Sequence, residues 1–213
     1  IVIKKVCEDK RSMLKLFGQK DIFAIGYRFF EEDDVDGTIQ LWVNNQELCL
    51  FKVGGENKAE GHEGSLYYIL EWFCDKIEYV LGYDSYPLPV QGDTALDLLN
   101  KSNEYEDDDE LEEDMWHFVK IRWRQKHSWF SGRDGAIFPD VSFWRCDKNT
   151  MEISWNNVFW REHDILFCAE YGSAKIEYYY FRKILLAFMT SCLEDIKPRL
   201  KNLEPIKFYL PTL

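Results

Sequence analysis

A chain of 213 residues with 46% hydrophobic content can bury a substantial core, which excludes disorder over most of its length. Its formal net charge of −12 repels phosphate backbones, so polynucleotide binding is disfavoured as a main function. Six widely spaced cysteines show neither CxxC nor a Cys/His pair at metal-ligand spacing, and no apolar run approaches the roughly 18 residues that span a bilayer. Reduced thiols and the lack of a signal peptide make the expected compartment cytoplasmic, with no membrane contact. The start "IVIKKV" has no initiator Met and fits a piece of something longer.

In chain order, "DIFAIGYRFF" (21–30) reads as a strand and "EEDDVDG" as a solvent loop. "GTIQLWVNNQELCLFKVGG" reads as a hairpin turning at Asn44-Asn45, a pair that tolerates positive φ. Ser65 is placed to cap a helix in which Leu66, Ile69, Leu70, Phe73, Ile77, Val80 and Leu81 recur at helical spacing. Gly82 suits its C′ position.

"YDSYPLPVQGD" breaks the periodicity, and the polar stretch running on to Asp114 reads as a linker. This divides the chain into an N-terminal lobe (1–100), an acidic linker (101–114) and a C-terminal lobe (115–213). "MWHFVKIRWRQKHSWF" mixes helix and strand spacing, with helix preferred. "VSFWRCD" and "MEISW" form a second hairpin, and "DILFCAEYG" reads as a third strand. A long helix carrying Ala174, Tyr178, Phe181, Leu185, Phe188 and Cys192 as a stripe ends at Pro198, and the tail "NLEPIKFYLPTL" is apolar. The expected class is α+β, two hairpin-plus-helix lobes.

The helix, three strands, helix order of the second lobe resembles the core of PD-(D/E)xK nucleases. That likeness implies a divalent Mg or Mn ion held by Asp140 and Glu152 on neighbouring strands. Ser154 stands where the lysine of such a site belongs, and Lys148 falls in the turn, so the core reads as degenerate. Arg122 and His127 match the R-x4-H spacing of HEPN ribonucleases, although the hairpins contradict that all-helical fold. His62, His117 and His163 are scattered, and no HExxH, G-x-S-x-G, P-loop or dinucleotide fingerprint is present.

"SLYYILEWFCDKIEYVLGYDSYPLP" (65–89) and "RQKHSWFSGRDGAIFPDVSFWRCDKNTMEISW" (124–155) resemble blocks of uncharacterised bacterial domains. Those domains are associated with the amino-terminal side of ImmA/IrrE-type metallopeptidases and with phage-defence neighbourhoods. The resemblance implies a sensing or docking part and carries no catalytic residue over. An aromatic content of 16% exceeds what packing requires, which points to rings on a partner-facing surface, with Trp144, Trp155 and Trp160 as candidates. Cross-strand packing is the other reading of these rings. The expectation is a non-catalytic recognition or adaptor module of a bacterial antiviral assembly, with a protein partner or adjoining effector domain and neither cofactor nor metal. The alternatives are a Mg- or Mn-dependent nuclease using Asp140 and Glu152, and a nucleic-acid mimic presenting Asp107, Asp108, Asp109 and Glu110.

Overall fold

Two antiparallel sheets carry the α+β architecture, and each half of the sequence supplies one. The computed structural model describes residues 13–30, 34–56, 58–105, 110–129 and 137–200. The first sheet runs β1 (Lys15–Gln19), β2 (Phe23–Phe29), β3 (Asp36–Val43), β4 (Gln46–Glu47), with β6 (His62–Ser65) paired to the first half of β3. Alternation in β3 turns Ile39, Leu41 and Val43 into the core. The expected hairpin turn is present, with φ of 49° at Asn44 and 64° at Asn45. Its second arm is shorter than the sequence implies. The chain leaves the sheet after Glu47, and β5 (Phe51–Val53) pairs instead with β10 (Ile165–Phe167), burying Phe51, Ile165 and Phe167 together.

The second sheet is ordered β11 (Tyr171–Glu177), β9 (Thr150–Asn156), β8 (Val141–Arg145), β7 (Ser128–Trp129). The β8–β9 hairpin matches the sequence reading. The third strand is displaced along the chain: Ile165–Phe167 of "DILFCAEYG" pairs with β5, while Tyr171 and Gly172 open β11, the strand that lies beside β9. Strand β11 alternates correctly for the role, since Ala174 and Ile176 face inward and Ser173, Lys175 and Glu177 outward.

Helix α1 (Leu66–Leu81) buries Leu66, Ile69, Leu70, Phe73, Ile77 and Val80, as its periodicity requires. Ser65 makes no side-chain cap bond, and Gly82 is extended (φ −70°) rather than left-handed. Glycine is still needed there, because a Cβ would lie 2.4 Å from the Glu78 carbonyl oxygen. Helix α4 (Tyr178–Ile196) begins after Ala174, which belongs to β11. The Glu177 carboxylate accepts from the amides of Tyr179 (3.0 Å) and Tyr180 (2.6 Å), and Pro198 lies in the 3-10 turn Lys197–Leu200 that ends the helix.

Helices α1 and α4 form the layer between the sheets. The Phe181 ring centroid is 4.8 Å from Phe23 of the first sheet and 5.9 Å from Phe143 of the second. Phe73 lies 5.4 Å from Trp129 and 5.9 Å from both Phe143 and Phe188. One buried cluster therefore draws on residues from both sides of the 101–114 segment. That segment is itself partly helical. Helices α2 (Ala95–Ser102) and α3 (Glu110–His127) occupy much of the stretch read as linker and cover the outer face of the second sheet. Among the described residues, no helix is long and apolar enough to cross a membrane.

Candidate functional site

The outer face of the second sheet is polar, and it is nevertheless covered. Because Met151, Ile153 and Trp155 of β9 point to the core, Glu152 and Ser154 point the other way. Registered pairing places Ser128, Ser142, Ser154 and Ser173 in one row across all four strands, and the Oγ atoms of Ser128 and Ser142 lie 2.7 Å apart. Helix α2 closes over this row. Thr94 caps it by accepting from the Asp97 amide at 3.0 Å, and Ala95, Leu98, Leu99 and Ser102 form its buried stripe. The pattern T-x-x-D before an apolar repeat was the available signal for this helix.

Asp140 and Glu152 both lie on this face but do not meet. The Asp140 carbonyl accepts from the Asn156 amide, so Asp140 is aligned with Asn156, whereas Glu152 is aligned with Trp144. Four residues of strand separate the two positions, roughly 13 Å at the usual rise. Carboxylates sharing one cation bring their oxygens within about 5 Å of each other. Each acid also has another occupation. Asp140 is paired with the Arg124 guanidinium at 2.6 Å, and burial raises its carboxyl affinity for protons against the pull of that cation. Glu152 is fully buried and accepts the Ala95 amide at 3.1 Å, at the first turn of α2. Burial pushes its pKa up to about 7, while the Ala95 amide, the nearby Ser154 hydroxyl and Lys175 pull it down. Neither the Ser154 hydroxyl nor Glu152 Oε1 makes a hydrogen bond among the described residues. No group of three metal-ligating side chains forms among the described residues.

A cavity of about 530 Å³ opens where α2 and α3 meet the end of the sheet. Its cations, Lys120 and Arg124, are one turn apart on α3 and come from the basic run "KIRWRQKH". Lys120 Nζ donates to Asn103 Oδ1 at 2.7 Å and lies 2.9 Å from His117 Nδ1. Desolvation, with Arg124 close by, lowers its pKa. Leu96 and Leu99 contribute apolar wall; Ile121 and Phe159, both about half exposed, stand at the same opening.

Of the three tryptophans expected at the surface, Trp155 is buried, while Trp144 and Trp160 are partly exposed. Trp155 is 3% exposed and belongs to the core, against Gly172 of β11, where a Cβ would come within 2.5 Å of the indole. Trp144 does point away from the core, but it packs beside Trp123 (6.4 Å) and its Nε1 donates to the Asp84 carbonyl. Trp160 leans on the β5–β10 ribbon and donates to the Phe138 carbonyl. Arg122 and His127 are not brought together either. Five helical residues turn them to different sides, leaving Arg122 exposed over the Phe118 ring and His127 buried, with its pKa lowered to about 4 by burial. Asp107, Asp108 and Asp109 lie outside the described residues, and Glu110 is exposed at the start of α3.

The outward side of α3 carries what composition alone does not reveal. Met115, Phe118 and Ile121 are 54%, 52% and 50% exposed and follow one another at helical spacing. Their apolar line meets Phe159, 48% exposed, at the cavity mouth. Arg122 and Asp114 flank it, so the helix is amphipathic twice: Trp123 and His127 face the sheet, and this second stripe faces solvent. Compared with known proteins, the chain matches no family model, no curated protein and no solved structure.

Proposed function

We propose that this chain is a non-catalytic recognition module that engages a protein partner or an adjoining effector domain through the outer side of α3. The observation carrying this reading is the half-exposed line Met115, Phe118, Ile121 and Phe159, on a helix whose other exposed residues include Glu112, Asp114 and Arg122. Contiguous exposed apolar patches rimmed by charge are the surfaces on which protein partners settle, with a few large side chains supplying most of the affinity. The recognition surface thus moves from Trp144, Trp155 and Trp160 to α3. The wide spacing of Asp140 and Glu152 supports the same reading, since it deprives the nuclease alternative of a shared cation. The likeness of residues 65–89 and 124–155 to bacterial domains of phage-defence neighbourhoods suggests an antiviral assembly in the cytoplasm as the setting.

The test is co-expression with the products of the adjacent genes, followed by size-exclusion chromatography. A stoichiometric complex is expected with the native chain and is lost in the Met115→Glu, Phe118→Glu double variant, whose circular dichroism stays native because both side chains face solvent. A complex unaffected by that variant, or nuclease activity with Mn²⁺ that disappears in Asp140→Ala and Glu152→Ala, refutes the proposal.

A further inference from the structure

We infer that the cavity between α2, α3 and the end of β9 is a binding site for a small phosphate monoester with a planar body, of the size and chemistry of a nucleoside monophosphate. The cavity, about 530 Å³, falls within the range of roughly 300–1,000 Å³ that small-molecule sites occupy. Its polar end holds two cations and one carboxylate. Arg124 is already engaged by Asp140, whereas among the described residues the half-buried Lys120 ammonium meets no carboxylate, only Asn103 Oδ1 and His117 Nδ1. An ammonium has three protons to donate, and a partly desolvated one without a counter-ion is most stabilised by an anion. A phosphate oxygen provides one, at the distance of a charge-assisted hydrogen bond.

The remaining walls suit the rest of such a ligand. Leu96 and Leu99 present apolar surface from α2, and the exposed Phe159 ring at the mouth offers a face on which a base can stack. Asn100 and Asn156 bring side-chain amides that donate and accept, as a base edge or sugar hydroxyl requires. The whole-molecule charge of −12 sets the size of the ligand. A polymer would extend many phosphates into a repulsive field, whereas a single phosphate meets only the local cations. This inference is argued from the cavity and does not require the proposed partner, although the two surfaces share Phe159 at the cavity mouth.

The experiment is calorimetric titration of the full chain with AMP, with adenosine and inorganic phosphate as separate arms. AMP is expected to bind at sub-millimolar concentration and both fragments more weakly. Lys120→Met keeps the aliphatic stem and removes the charge, so it is expected to weaken AMP about tenfold or more, the effect of losing one hydrogen bond to a charged group, with Lys120→Arg restoring most of it. Phe159→Ala is expected to weaken AMP and leave the phosphate arm unchanged. Absence of AMP binding at millimolar concentration, equal binding of adenosine and AMP, a phosphate response without an AMP response, or an undiminished affinity in a natively folded Lys120→Met each overturns the inference.

Discussion

Glu152 shows how one side chain can look catalytic and be structural. Its position on a central strand, two residues from Ser154, fits a metal-site pattern in the sequence, yet the carboxylate is sealed under α2 and accepts the Ala95 amide. The same burial makes it a source of pH dependence. Its pKa rises from the ordinary 4.5 to about 7 in the folded chain, so between these values the native state holds a proton that the unfolded state has released. Stability is therefore fully supported by this group below about pH 4.5 and falls as pH rises towards 7, by up to about 3 kcal/mol. Glu152→Gln retains an oxygen for Ala95 and removes the charge. Urea titrations at pH 5 and pH 8 are expected to show the variant flatter with pH and more stable than the native chain at pH 8; an unchanged slope would place the pH dependence elsewhere.

Among the elements, the legible ones were those whose signals are local. Asn44-Asn45 between two β-rich runs demands a turn with two positive φ values, and the structure has it. Replacing Asn45 by Ala is expected to cost about 1 kcal/mol in denaturant unfolding, because a Cβ without a local hydrogen-bonding group is penalised in the left-handed region, while Asn45→Gly is expected to be tolerated. The α1 stripe and the β8–β9 hairpin were equally readable. Helix α2 is hard to read in the sequence because two prolines and a glycine dominate its approach, although Thr94 and Asp97 spell a cap. Strands β5 and β10 were assigned wrong partners for a different reason. Each has three residues, and over that length alternation does not say which edge a strand joins; the mutual burial of Phe51, Ile165 and Phe167 does.

The molecule as a whole is joined through α1 and α4. Phe73 sits at that junction, fully buried and in ring contact with Trp129, Phe143 and Phe188. Phe73→Ala is expected to lower stability by roughly 3–5 kcal/mol. Far-UV circular dichroism and tryptophan fluorescence should report one shared midpoint in both native chain and variant, as a common core requires; two separated midpoints would mean that the halves melt independently. Amino-acid order by itself determined the α+β class, the main hairpins and the long amphipathic helices, since these follow from periodicities and turn chemistry within some twenty residues. Only the tertiary structure decided that Asp140 and Glu152 stand apart, that Trp155 belongs to the interior, and that Lys120 and Arg124 open onto a cavity while Met115, Phe118 and Ile121 face outward. Strand register and the choice of which helix face meets a sheet depend on contacts between residues distant in the chain, and no local pattern encodes them.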